Sequence, residues 1–113
     1  MTNELPIIQK THDLIVWYVP WLNKLPRDFK FTLGDRVQAT LFCILEDLII
    51  ARWRRDKLAI LEGVNARLEI LRHQTRLCRE FKLMDAKRYE FVSRLINEVG
   101  VGLGGWIKNR GLQ

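Results

Sequence analysis

The sequence predicts an all-α protein, an antiparallel four-helix bundle with up-down-up-down connections. Three observations favour this fold. Apolar residues recur at three- and four-residue steps almost throughout, no alternating apolar–polar run is bounded by turn residues, and the segments between the apolar patterns are short. Short connections make neighbouring helices antiparallel. With 113 residues, the chain is expected to form a single domain over residues 1–113.

The first predicted helix covers about residues 5–24. Its apolar positions are Ile8, Ile15, Tyr18, Val19 and Leu22, with Trp17 and Trp21 along a second edge. Pro20 has no backbone N–H to donate, so it is expected to kink or end this helix nearby.

The second predicted helix covers about residues 32–53, with Thr32 as its N-cap and Asp35 completing a weak capping box. Its apolar stripe contains Leu33, Val37, Leu41, Ile44, Leu45 and Leu48, and it is widened by Phe42, Cys43, Ile49 and Ile50. A helix that is apolar on most of its circumference is buried on most of it. Because one bundle core covers a narrower face, this helix predicts a subunit interface.

The third and fourth predicted helices cover about residues 56–82 and 85–109, with Asp56 and Asp85 as N-caps. The third has a seam of Leu61, Val64, Leu68, Leu71, Thr75 and Cys78. The fourth has Val92, Leu95, Ile96, Val99, Leu103 and Trp106 along one side. Such spacing is typical of helices packed in a bundle or an antiparallel coiled coil.

Positive charge is concentrated in one part of the chain. Residues 52–94 hold twelve Lys and Arg against six Asp and Glu, whereas the rest holds seven of each. An Arg guanidinium matches phosphate oxygens, so nucleic acid is the first partner to consider. The candidate nucleic-acid-binding residues are Arg52, Arg54, Arg55, Lys57, Arg72, Arg76, Arg79, Lys82, Lys87 and Arg88. A solvated basic face, or pairing with acidic groups of sister subunits, would produce the same pattern.

Residues 98–111, EVGVGLGGWIKNRG, contain the G-x-G-x-x-G spacing of dinucleotide-binding enzymes. That motif requires a strand before the glycines and a helix that opens after them. A helical pattern leads into these glycines instead, so no cofactor is expected. Glycine in a helix carries a cost of about 1 kcal/mol relative to alanine. The expected compensation is close packing against a neighbouring helix, within the subunit or across an interface, with Trp106 as an anchor.

No catalytic or metal-binding residues are predicted. His12 and His73 have no second ligand at the spacing of a metal site. Glu46 and Asp47 are adjacent, and adjacent side chains on a helix point about 100° apart, so these carboxylates do not converge. A small enzyme therefore has no support in the sequence.

The sequence also predicts a cytoplasmic protein without a membrane segment. The longest uncharged stretches, 14–23, 37–45 and 99–107, reach about half of the ~20 residues that a bilayer span needs. Residues 1–13 lack the apolar run of a secretory signal. Cys43 and Cys78 lie within apolar patterns and are expected to be inert core thiols.

Four segments carry a resemblance to a known family: WYVPWLNKLP, LPRDFKFTLGDRVQATLFCILEDLIIARW at 25–53, ILEGVNARLEILRHQTRLCREFKLMDAKRYE at 60–90 and LINEVGVGLGGWIK at 95–108. The sequence resembles the Avd-like accessory proteins of diversity-generating retroelements over about residues 12–108. Their larger four-helix-bundle group includes proteins encoded in intervening sequences of 23S ribosomal RNA genes. The GGW tail favours the retroelement branch.

The resemblance implies a homopentameric barrel of four-helix bundles that binds RNA or DNA with weak sequence specificity. It also implies association with the retroelement's reverse transcriptase, which copies a template RNA with errors into cDNA that diversifies a target gene. The accessory protein is not itself the polymerase. The alternative is a purely structural bundle of the rRNA-intervening-sequence type, which binds only protein.

Overall fold

The computed structural model describes residues 6–109, which are helical apart from short connections. The four long helices are α1 (Pro6–Leu22), α2 (Asp35–Arg52), α3 (Leu58–Glu80) and α4 (Ala86–Asn109). No β-strand occurs within this range, which confirms the all-α, four-helix prediction. The predicted start of the first helix at Leu5 lies outside the described residues.

The helices form a closed cycle in which each packs on its neighbours in sequence and α1 packs on α4. The result is a rod of 45 × 24 × 24 Å. We call its two ends the 53–57 end and the 81–85 end, after the α2–α3 and α3–α4 turns. None of the helices within the described range combines the length and apolarity needed to cross a bilayer.

The predicted seams form the core. All six seam positions of α3 are buried, and the predicted side of α4 is buried except for the half-buried Leu95. Across the centre, the hydroxyl groups of Tyr18 on α1 and Thr75 on α3 share a hydrogen bond of 2.8 Å. The apolar periodicity therefore identified the core faces of both helices.

The outer face of α2 is largely apolar and exposed in the isolated subunit, with Glu46 as a charged residue within it. Val37, Leu41, Ile44 and Leu48 are fully buried on the inner face. On the other side, large apolar side chains remain exposed: Phe42 39%, Ile49 40%, Ile50 45% and Trp53 78%. As the width of the stripe predicted, the subunit's own core does not cover this surface, which we call the α2 outer face.

Two predicted helix starts are wrong. Thr32 does not cap α2: its hydroxyl donates to the carbonyl oxygens of Asp28 (3.1 Å) and Phe29 (3.4 Å). It lies in a π-helical turn, Lys30–Gly34, that joins a short helical turn, Arg27–Phe29, directly to α2. Because the backbone is already helical where it enters α2, the threonine hydroxyl donates to carbonyl oxygens earlier in the chain. It therefore does not cap the backbone N–H groups that follow.

The start of α3 was also mispredicted, whereas the start of α4 was not. The N-cap of α3 is Lys57 rather than Asp56, and no side-chain hydrogen bond caps that helix. At α4, Oδ1 of Asp85 accepts a hydrogen bond of 2.7 Å from the backbone N–H of Arg88. This bond, together with the neighbouring Arg88 guanidinium, holds the pKa of Asp85 below its ordinary value. Asp85 is thus the N-cap that the sequence predicted.

Pro20 lies within α1, which ends two residues later at Leu22. Close to the other end of α1, Gly102 permits tight packing of α4, since a Cβ there would lie 3.1 Å from Cβ of Ile7. At Gly100 a Cβ would lie 2.7 Å from Nη2 of Arg72. The expected close helix packing is therefore confirmed within the subunit at Gly102, whereas the near atom at Gly100 is the end of a flexible side chain.

Gly104 and Gly105, unlike Gly100 and Gly102, have no close neighbour in the described part of the subunit, because a Cβ at either position would have nothing within 4 Å. Gly104→Ala is expected to raise the free energy of unfolding by up to about 1 kcal/mol, since alanine favours the helix and restricts the unfolded chain. Chemical denaturation at a fixed subunit concentration measures the change. Gly102→Ala is the matched control and should gain less, because its methyl group must displace Ile7. A loss of stability in Gly104→Ala would contradict the prediction and indicate that another subunit packs there.

Candidate nucleic-acid interface

The structure divides the ten predicted basic residues among three places. Arg52, Arg54, Arg55 and Lys57 lie at the 53–57 end, Arg72 and Arg76 lie along α3, and Arg79, Lys82, Lys87 and Arg88 lie at the 81–85 end. The 23 residues of α3 separate the two ends by roughly 34 Å. The predicted set is therefore not a single site.

Lys57 is the least accessible of the ten. It is 9% exposed, and its Nζ lies 5.5 Å from the ring centroid of Trp106 on α4. A ring face attracts an ammonium group, so this lysine joins the start of α3 to the end of α4. Lys57, one of the predicted nucleic-acid-binding residues, therefore has its charge engaged inside the subunit.

The remaining basic residues of the 53–57 end surround an exposed indole. The guanidinium carbon of Arg52 lies 5.5 Å from the ring centroid of Trp53, which is 78% exposed. Arg54 and Arg55 are exposed and form no ion pair with other described residues. Because Trp53 also belongs to the α2 outer face, this cluster borders the surface expected to contact another subunit.

The arginines in the middle of α3 are partly neutralised by their own helix. Nη1 of Arg72 lies 3.6 Å from Oε1 of Glu69, and Nε of Arg76 donates to Oε2 of Glu80 at 3.0 Å. Exposed pairs of this kind contribute little to stability, but they reduce the local positive potential. This stripe is therefore less basic than the sequence pattern indicates.

Like the 53–57 end, the 81–85 end carries two exposed basic side chains without an ion pair among the described residues. Nη1 of Arg79 donates to the carbonyl oxygen of Met84 at 3.2 Å, and Arg88 pairs with Asp85. Lys82 and Lys87 are exposed and form no ion pair within residues 6–109. We call Arg79, Lys82, Lys87 and Arg88 the α3–α4 basic cluster.

A tight turn holds Lys82 in place. Its φ is 63°, in the left-handed region, where a helix often ends in glycine. Its backbone N–H donates to the carbonyl oxygen of Arg79 at 3.0 Å, and that of Leu83 donates to Cys78 at 2.9 Å. These two bonds form a Schellman motif, so Lys82 is presented by an ordered turn between two helices.

Sequence reasoning missed a groove of about 460 Å³ between α1 and α4 at the 81–85 end. Its lining residues are Trp17, Lys87, Arg88, Glu90, Phe91 and Arg94. Part of this groove could have been predicted from the sequence, since Phe91 and Arg94 are three residues apart and share a helix face. Trp17 is 74 positions from Phe91, and only the packing of α1 on α4 brings these two rings together.

Two buried polar side chains, those of Tyr18 and Cys78, meet in the core. Tyr18 is fully buried, and its hydroxyl contacts Thr75 at 2.8 Å and Sγ of Cys78 at 4.0 Å. Burial raises the pKa of both Tyr18 and Cys78. This confirms the core role predicted for Cys78, whereas Cys43 is half-buried.

The model of the bAvd-like family matches residues 5–110. This chain belongs to the bAvd-like family. The match confirms the resemblance carried by the four segments and indicates the general accessory role of Avd proteins. No curated protein matches the chain. As a bAvd-like bundle, the protein presents two chemically distinct surfaces, the apolar α2 outer face and the α3–α4 basic cluster.

Proposed function

We propose that this bAvd-like protein is a non-catalytic, cytoplasmic accessory subunit of a diversity-generating retroelement. It binds RNA or cDNA and the element's reverse transcriptase, and it supports mutagenic retrohoming. The observation that supports nucleic-acid binding is the α3–α4 basic cluster, in which Lys82 and Lys87 have no acidic partner among the described residues. Family membership supports the reverse-transcriptase contact.

The chemistry of the cluster suits phosphate rather than base recognition. Lys82 and Lys87 supply exposed point charges, and Arg79 and Arg88 keep further guanidinium N–H donors beyond the bonds that orient them. Contacts of this kind position a backbone without reading its sequence. The expected binding is therefore weakly sequence-specific and strongly dependent on salt.

The proposed assembly is a homopentamer that forms through the α2 outer face. On α3, which packs on α2, Ile70 and Leu77 are also exposed, at 44% and 40%. A five-membered ring needs contact between two different surfaces of each subunit. A second copy of the chain supplies an apolar partner surface, and the basic ends of successive subunits then lie around the same ring.

The double variant Lys82→Glu/Lys87→Glu tests the nucleic-acid interface. Its RNA affinity is expected to fall at least roughly tenfold, with the dependence of log affinity on log salt reduced by about 0.7 for each lost single-strand phosphate contact. Fluorescence anisotropy over a salt series measures both quantities. These lysines suit the test better than Arg72 or Arg76, whose replacement would also disrupt ion pairs with Glu69 and Glu80.

The matched control is Arg67→Glu/Lys108→Glu, which makes the same charge change at exposed positions outside the cluster. Its affinity should stay much closer to that of the unmodified protein. Equal losses in both double variants would contradict this interface. If the unmodified protein retains no RNA at moderate salt, the alternative function, a bundle that binds only protein, is favoured.

A further inference from the structure

Four planar side chains form a continuous row across α1 and α4. The rings of Trp21 and Trp17 are stacked, with centroids 6.4 Å apart and planes inclined by 12°. The ring of Phe91 follows at 5.8 Å from Trp17, and the guanidinium carbon of Arg94 lies 5.8 Å from the Phe91 centroid. We call Trp21, Trp17, Phe91 and Arg94 the planar ladder.

The ladder ends at the protein surface. Trp21 and Trp17 are half-buried, Phe91 is 41% exposed, and Arg94 is exposed. Arg94 forms no ion pair with the residues that the structure describes, and its guanidinium carbon lies within cation–π distance of the Phe91 ring. An exposed aromatic ring beside an unpaired guanidinium is a surface on which another flat π-system can stack.

The surroundings of the ladder are basic. Lys87 and Arg88 of the α3–α4 basic cluster line the same groove as Trp17, Phe91 and Arg94, and Glu90 is the acidic residue of the lining. Arg88 is paired with Asp85, so Lys87 and Arg94 against Glu90 leave the groove with a net positive charge that favours an anionic ligand. A ligand that carries both a flat base and a phosphate can stack on the aromatic side chains of the groove and contact its basic side chains at the same time.

Resting on the nucleic-acid-binding function proposed above, we infer that this groove binds an unpaired base of a single-stranded nucleic acid. The base stacks on the Phe91–Arg94 end of the ladder, and the adjacent phosphate contacts Lys87. Bases within a duplex are already stacked on each other, so a duplex reaches the phosphate-binding side chains only. The ladder therefore gives the basic cluster a preference for single strands over duplexes.

Phe91→Leu tests the stacking contact, because it retains apolar volume and removes the ring. The probes are a mixed-sequence 15-nucleotide RNA and the same RNA annealed to its complement. Affinity for the single strand is expected to fall roughly 5- to 150-fold, the range for the loss of one stacked base. Affinity for the duplex and the salt dependence of both should be unchanged, because no phosphate contact is lost. Arg94→Lys, which keeps the charge but removes the plane, should also weaken single-strand binding selectively.

Phe31→Leu is the matched control, since Phe31 is 63% exposed and lies 5.9 Å from Nζ of Lys30, outside the ladder. It should bind both probes like the unmodified protein. If Phe91→Leu binds the single strand normally while the unmodified protein binds RNA, the ladder inference is overturned and the proposed function stands. An equal loss for both probes, an equal loss in Phe31→Leu, or a changed oligomer mass in Phe91→Leu also overturns it. Failure of the unmodified protein to bind either probe overturns both proposals.

Discussion

Ile49→Glu is expected to dissociate the assembled protein into folded monomers. Ile49 is 40% exposed in the subunit and lies on the α2 outer face, so a carboxylate there remains hydrated in the monomer. In the proposed ring, the same carboxylate would be buried at every contact between copies. An unpaired buried charge costs several kcal/mol, which is enough to shift assembly by orders of magnitude.

Sedimentation velocity measures the mass of the assembly, and circular dichroism verifies that the helices persist. Ile49→Val is the control, because it keeps an apolar side chain at the same position of the α2 outer face. That variant should keep the mass of the unmodified protein. An Ile49→Glu protein that retains the full assembly at micromolar concentration would show that the α2 outer face is not the subunit contact.

Trp106→Ala is expected to cause the largest loss of stability, about 3–5 kcal/mol, as is typical when a large core aromatic is removed. Trp106 is 6% exposed and provides the ring against which the buried ammonium of Lys57 rests. The substitution leaves both a cavity and a buried cation without its ring. It therefore loosens the contact between the start of α3 and the end of α4.

Urea denaturation at a fixed subunit concentration measures this loss. Trp106→Phe should recover a large part of the stability, because a phenyl ring restores apolar volume and a face for the ammonium. A loss below about 1 kcal/mol in Trp106→Ala would contradict the anchoring role. Because Trp106 is buried within one subunit, this loss would report the stability of the subunit fold and not the strength of the contact between subunits.

The core could be predicted closely because burial follows periodicity. Leu61, Leu68 and Thr75 recur on one face of α3, and all are buried. The N-caps were less predictable, since a capping side chain acts only if the backbone enters the helix in a particular conformation. Thr32 failed because it lies in a π-helical turn, and Asp85 succeeded because a sharp turn precedes α4.

The sequence predicted which basic residues the candidate site could contain, but it did not predict which of them are accessible or lie together. Lys57 appeared to be part of an exposed basic run, yet Trp106, 49 positions later, covers it. Arg72 and Arg76 are also among the predicted residues, and each contacts a carboxylate on its own helix. A list of basic residues therefore overestimates the accessible charge, because burial and pairing depend on where other side chains lie.

The sequence by itself determined the all-α class, the inward faces of α3 and α4, the excess apolar width of α2 and the family resemblance, all of which arise from local spacing or from contiguous motifs. Only the tertiary structure decided which basic residues lie together and that Trp17 and Phe91 meet in one planar ladder. The physical reason is that contacts between α1 and α4 join residues more than seventy positions apart. Their proximity depends on the packing of whole helices, which no local pattern encodes.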